Sequence, residues 1–184
     1  VIDRIGEAAG LSVANRIHNL TLADWQRVPE QRGRGALPTA DYQMASDLEH
    51  LVQVEAKGST VEDNRLPHPN VAAQKRRILK KKAKILQAEG GAGYPYPADL
   101  RYGTIAVIDS RRNSDLRCLL TDPPGQQSHE DKTAFRLLAR LRFLRDWLVF
   151  ISPRSQFTSA LATRIAALQN LHEPFDLKQV PLVR

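Results

Sequence analysis

Residues 51–58, Leu-Val-Gln-Val-Glu-Ala-Lys-Gly, constrain this chain more than any other stretch. Side chains alternate across a β-strand, so Val52, Val54 and Ala56 must share one face and Gln53, Glu55 and Lys57 the other. The apolar face reads as core. The polar face carries a carboxylate and an ammonium two residues apart, immediately before a glycine and a serine. A surface ion pair of that kind is worth under about 1 kcal/mol, so what matters is the context in which the pair stands. Gly58 reads as the point where the strand ends and the backbone turns away, leaving room for a substrate.

A second strand precedes it. In 39-TADYQMA-45, Asp41, Gln43 and Ala45 share one face and Tyr42 and Met44 the other, and 46-SDLEH-50 is turn-like, so the two runs read as a hairpin. A modest register would set Asp41 beside Glu55. Upstream, Ile2, Ile5, Ala9, Val13, Ile17 and Leu20 recur at helical spacing. Gly6, Gly10 and Ala14 extend that stripe with small side chains that can approach a sheet closely, and Glu7 lies just past them. Residues 29–38, PEQRGRGALP, are a loop entering the Asp41 strand, and its Arg32 and Arg34 are candidates for nucleic-acid contacts near a substrate.

After 58–70, Asn70 reads as the N-cap of a helix from Val71 to about Glu89, with Val71, Ile78, Leu79, Ile85 and Leu86 as its stripe and Gln74, Lys75 and Lys82 on or beside it. The run 75-KRRILKKKAK-84 is commonly a solvated face, but Arg76, Arg77, Lys80 and Lys84, opposite the stripe, could make salt-sensitive, sequence-independent phosphate contacts, and Lys75 and Lys82 are further candidates for binding nucleic acid. A buried strand, 104-TIAVID-109, and its hairpin partner, 116-LRCLLT-121, follow a Gly-Pro-Tyr loop. Tyr94 and Tyr96 in that loop suit either base stacking or loop packing. Two helices, near 132–151 and 156–171, close the chain. The first is apolar almost all round, which leaves it either sandwiched in the fold or offered to a partner.

Composition narrows the function classes. The chain has 184 residues, 27 Lys plus Arg against 20 Asp plus Glu and a net charge of +7, which favours polyanionic partners. Cys118 is the only cysteine, so an internal disulfide and a cysteine zinc cluster are excluded. His18, His50, His68, His129 and His172 show no i, i+4 pair for zinc or nucleophilic catalysis. No GxxxxGK[ST] loop is present. No run approaches the roughly 20 apolar residues of a membrane span, so the chain reads as soluble, with no membrane partner. It begins at Val1 inside a helical pattern, so an upstream delivery or regulatory region is an expectation.

The triplet Glu-x-Lys recurs at 130–132, where it opens a helix without a preceding strand and reads as a cap. At 55–57 the chemistry is different. Phosphodiester hydrolysis needs a water nucleophile, relief of phosphate charge and a stabilised leaving oxygen. Paired carboxylates such as Asp41 and Glu55 suit Mg²⁺, with the Ala56 carbonyl as a further ligand, and Lys57 suits the phosphate or the attacking water.

The order of helix with Glu7, hairpin with Asp41 and 55-EAK-57, basic helix with Gln74, and strand 104–109 resembles the PD-(D/E)xK, or restriction-endonuclease-like, nuclease superfamily over roughly residues 1–109. The pattern departs in two places: the proline stands at 38, three residues before Asp41, rather than directly before it, and no first core strand is obvious between residues 20 and 38. The resemblance implies an α/β fold with an αβββαβ core, a mixed central sheet flanked by helices and a C-terminal helical pair. It divides the chain into a nuclease core at 1–125 and a helical extension at 126–184 packed on the same domain. It further implies Asp41 and Glu55 as ligands of Mg²⁺, with Mn²⁺ as a substitute, Lys57 in catalysis, and Glu7 and Gln74 as accessory site residues. DNA is the expected substrate, with RNA open. The site of action is then cytoplasmic, reached by delivery if the chain is a bacterial toxin with an immunity partner. A phage-defence or DNA-processing nuclease is equally open, and a non-catalytic nucleic-acid-binding or assembly domain of the same fold is the alternative.

Overall fold

The computed structural model describes residues 2–28, 36–40, 43–61, 68–90, 94–96, 98–109, 116–121 and 131–169. Its central strand, β3, runs Leu51–Val61 and so passes straight through Gly58. The expected strand end at Gly58 is therefore corrected, and the reason lies across the sheet. A Cβ on Gly58 would collide with the carbonyl oxygen of Ile2, and one on Gly6 with the backbone of Lys57 and Gly58. Helix α1, Ile2–His18, is thus seated backbone to backbone on β3, which only glycine on both sides permits.

Gly6, Gly10 and Ala14 are the buried residues of α1, as their small side chains lead one to expect. The aliphatic stripe that signals the helix is not the face it buries, since Ile2, Ile5 and Ile17 are 40%, 39% and 50% exposed.

Strand β2, Gln43–Ser46, pairs antiparallel with β3 in the register Met44↔Gln53, Ala45↔Val52, Ser46↔Leu51, so the expected hairpin is present. Its turn is held by the Asp47 carboxylate, whose Oδ1 accepts the backbone N–H groups of Glu49 and His50 at 3.0 and 2.6 Å. Strand β1, Gln26–Arg27, adds to β2 at the edge and is too short to show any alternation in sequence. Helix α2 runs Pro69–Glu89. Its cap is His68 rather than Asn70: His68 Nδ1 accepts the Asn70 N–H at 3.2 Å, while the Asn70 amide donates to the Thr60 carbonyl at 3.1 Å. Strand β4, Leu100–Asp109, lies parallel to β3 from Val52↔Leu100 to Val61↔Asp109, and β5, Arg117–Thr121, pairs antiparallel with β4.

The result is an α/β fold whose five-stranded mixed sheet has the order β1-β2-β3-β4-β5. Parity along β3 divides the core between its faces. Val52, Val54 and Ala56 pack with Ala14, Leu20, Trp25 and Ala45 under α1. On the other face Ile105, Val107 and Val61 pack with Val71 and Ile78 of α2, and Gly103 makes room for Ile78. The face bearing Gln53, Glu55 and Lys57 is therefore the α2 face.

Helices α3, Lys132–Ile151, and α4, Gln156–Gln169, form the described part of the C-terminal extension. Asp131 caps α3, its Oδ1 accepting the N–H groups of Thr133 and Ala134 at 3.0 Å each, so the second Glu-x-Lys copy opens a helix as expected, with Glu130 outside the described residues. The helix is tied to the core by Asp24, which is fully buried in the 3₁₀ turn Leu22–Asp24. Its carboxylate receives Arg136 Nε at 2.9 Å, Arg140 Nε at 2.5 Å, and the N–H and hydroxyl of Thr21 at 2.9 and 3.0 Å. Burial alone would raise the Asp24 pKa, but the bonds from Arg140, Arg136 and Thr21 outweigh it and hold the carboxyl at about 2. No helix of the described residues is long and apolar enough to cross a membrane.

Candidate functional site

Along β3 the α2-facing side chains pass from a closed polar network to a partly open cleft. At the closed end Gln53, 1% exposed, donates its amide to the Tyr96 carbonyl at 3.0 Å and accepts Arg101 Nε at 3.2 Å. Arg101, itself buried, makes a bidentate pair with Glu89 at 2.8 and 2.6 Å. Buried charge paired in this fork geometry fixes the floor beside the next residue on the face. Tyr94 packs edge-on against Tyr96 and donates its hydroxyl to the Pro38 carbonyl at 2.7 Å, so these tyrosines pack the loop.

Glu55 comes next and is 6% exposed. Lys57 Nζ lies 2.7 Å from its Oε1 and Lys81 Nζ 2.6 Å from its Oε2, so both carboxylate oxygens are engaged by ammonium groups. The two lysines keep partial access to solvent, with side chains 25% and 34% exposed. Ala40, Gln53, Glu55, Lys81, Lys82 and Arg101 line a cavity of about 20 Å³, room for about one water-sized particle. One turn earlier on α2 than Ile78, Gln74 donates its amide to the Gly58 carbonyl at 3.5 Å. Its Oε1 is buried and has no hydrogen-bond partner among the described residues, an acceptor ready for a donor. Glu55, Lys57 and Gln74 thus gather on one side of the sheet, as the spacing leads one to expect.

Other expected site residues are placed differently. Glu7 stands on α1, which packs on the face opposite Glu55, and it pairs with Arg4 at 3.4 Å. Asp41, Arg32 and Arg34 lie outside the described residues. The described pairing of β2 with β3 ends at Met44↔Gln53, two residues short of Glu55. Met44 meets the Gln53 amide at 3.6 Å through its sulfur, whereas Ala45 packs beside Val52 and Val54. Ala45 therefore belongs to the α1 face and Met44 to the face of Gln53. Ala56 lies between Glu55 and Lys57 with its side chain on the α1 face.

The lysine run 80-KKK-82 shows how steps of about 100° per residue separate neighbours. Lys80 is exposed, Lys81 reaches Glu55, and Lys82 is buried at 6% with Nζ 3.5 Å from the Arg101 carbonyl. Lys82, expected among the phosphate-tracking residues, thus points at the sheet because it follows the Ile78 and Ile85 stripe. Lys75, Arg76 and Arg77 are exposed on the outer side of α2. Lys81 is the site residue that sequence reasoning missed. Its signal was its place three residues after Ile78, on the Gln74 side of the buried stripe.

With two ammonium groups on one carboxylate, the local charge of the site is positive and suits an anionic substrate. The donor set also suits a hard cation such as Mg²⁺, because its acidic member is a buried carboxylate and soft ligands are absent from the described site. Both Glu55 oxygens already receive ammonium groups, so a cation would enter by exchange with one of them, and no group of three or more His, Cys, Asp or Glu side chains is assembled among the described residues. Compared with known proteins, the chain matches no protein-family model, no curated protein and no solved structure.

Proposed function

We propose that this chain is a metal-dependent nuclease that hydrolyses DNA phosphodiester bonds. The observation that carries the reading is the buried Glu55 carboxylate paired with Lys57 on one strand face, beside a small cleft under a basic helix. The element order α1, β1, β2, β3, α2, β4 is the order that the PD-(D/E)xK resemblance implies, and it supports a restriction-endonuclease-like core. When bound, Mg²⁺, or Mn²⁺ in its place, would polarise the phosphate and lower the pKa of its water. Glu55 and Asp41 would hold the ion, with the Ala56 carbonyl beside them.

The chain's own groups supply the rest. Lys57 exchanges Glu55 for the scissile phosphate, where its ammonium offsets the charge of the crowded phosphorus centre or orients the water. The unpartnered Gln74 oxygen accepts a hydrogen bond from a water at the mouth of the site. Lys75, Arg76 and Arg77, exposed on α2, contact the phosphate backbone without reading sequence.

Plasmid nicking tests this directly, with Mg²⁺, with EDTA, and with the Glu55→Ala and Lys57→Ala variants. Cutting that stops with EDTA and in both variants is expected. Persistent cutting by both variants refutes the site. One observation favours a second reading, a non-catalytic nucleic-acid-binding or assembly domain: both oxygens of Glu55 are already neutralised by lysines, as in a structural ion cluster. Under that reading the parent cuts nothing with any metal, and Glu55→Ala lowers stability.

A further inference from the structure

Helix α3 resolves the choice its sequence left open. Ala139 is its one buried residue among those described, and its C-terminal half is turned outward. Phe150 is 82% exposed, Ile151 71% and Trp147 52%, and Phe157 at the start of α4 is 79% exposed. The rings of Phe143, Trp147 and Phe150 follow one another edge to face, with centroids 6.2 and 6.5 Å apart, forming a continuous aromatic ridge. Single exposed apolar residues are ordinary, but a contiguous ridge marks an interaction surface.

The charge around the ridge says what covers it. Residues 131–169 hold seven Arg and Lys against two Asp. Arg136 and Arg140 are consumed by Asp24, and Arg145 by its neighbour Asp146 at 2.8 Å. Arg142, between Leu141 and Phe143, is only half-exposed and has no hydrogen-bond or ion-pair partner among the described residues. Burial pushes its pKa down and Arg145 adds to this, while Asp146 offsets only part of it. Asp146 acts on Arg142 without a direct ion pair and is itself bonded to Arg145, so a guanidinium drawn partly out of water here still favours a further anion beside it.

We infer that the outward face of α3 and the first turn of α4 docks an acidic protein, whose apolar side chains cover the aromatic ridge and whose carboxylate reaches Arg142. A second copy of this chain would bring Arg142 and Arg154 toward like charges across a two-fold axis. A nucleic acid would leave the aliphatic Leu144 and Ile151 without suitable contacts, because such interfaces are polar. The inference stands independently of the nuclease reading.

The test uses the full chain carrying p-benzoylphenylalanine at Phe150, photolysed in lysate of the source cells. The cross-linked protein is identified by mass, expressed, and titrated calorimetrically against the parent, Phe150→Asp and Arg142→Gln. Because Phe150 is so exposed, its substitution leaves folding untouched. The expected result is an acidic protein whose Kd weakens about tenfold or more with each variant, as for central interface residues, and weakens with added salt for the parent. Cross-links only to a second copy, to nucleic acid or to nothing overturn the inference. So do flotation of the chain with phosphatidylserine vesicles that Phe150→Asp abolishes, and a captured protein whose Kd neither variant changes.

Discussion

Replacing Asp24 by Asn tests how the C-terminal helices are held. The carboxyl sits fully buried at about 2 instead of its ordinary 3.8, a difference worth about 2.4 kcal/mol of folding stability at neutral pH. Breaking a buried pair costs about 3–5 kcal/mol when both charges are shut away. Here Arg140 is 48% exposed and can return to water, so a total loss of about 2–4 kcal/mol is expected. For a chain of this length that corresponds to a melting point lower by about 5–15 °C. The pH dependence has a definite sign. Because the folded pKa is depressed, the stabilisation is complete above 3.8 and disappears as pH falls through about 2. Urea unfolding of parent and Asp24→Asn at pH 7, 5, 3 and 2 should therefore give a stability gap that is flat from pH 7 to 5 and then narrows. A gap under about 1 kcal/mol at pH 7, or one that does not narrow below pH 4, refutes the assignment of Asp24 as the charged anchor of α3.

Gly58→Ala should destabilise by more than about 2 kcal/mol, because its Cβ meets the Ile2 carbonyl and forces α1 off the sheet. Gly90→Ala, with a helical φ of −67° and nothing closer than 3.7 Å, should be neutral or stabilise by up to about 1 kcal/mol. Thermal melts distinguish the two signs. Glu89→Gln leaves the buried Arg101 guanidinium with half its fork unpaired and should cost about 3 kcal/mol in urea titrations; a cost below 1 would show that Gln53 and the Tyr96 carbonyl suffice. On the nuclease reading, Lys81→Met removes one of the two cations on Glu55 and should raise calorimetric Mn²⁺ affinity severalfold. A fall in affinity would show that Lys81 does not compete with the metal.

The strands and helices were legible wherever a period ran for several residues. The alternation at 51–57, the helical spacing of 71–89 and the apolar run at 104–109 each formed the expected element, and the small residues of α1 became its packing edge. What failed was local ambiguity. Gly58 has the same identity whether it ends a strand or admits a helix, and only Gly6 from fifty residues earlier decides between them. His68 and Asn70 are both competent caps, and the nearby Thr60 carbonyl claims the asparagine. In the site, parity put Glu55 and Lys57 together and helical spacing set Gln74 beside the α2 stripe, but nothing in the lysine run singled out Lys81 as the partner of Glu55. Three successive lysines look alike in sequence, and their roles follow from the step of about 100° between neighbours on α2 relative to its buried Ile78 and Ile85 stripe.

That lysine run also changes how the helix would behave toward a duplex in salt. Each phosphate neutralised by a hydrated cation releases counterions and contributes about −0.9 to the slope of log affinity against log salt. Lys82 is already out of solvent and Lys81 is already matched by Glu55, so neither has a counterion to release at the start. Only Lys75, Arg76, Arg77, Lys80 and Lys84 remain exposed on α2. Binding carried by this helix alone would therefore show a slope no steeper than about −4.5, shallower than its charge count implies.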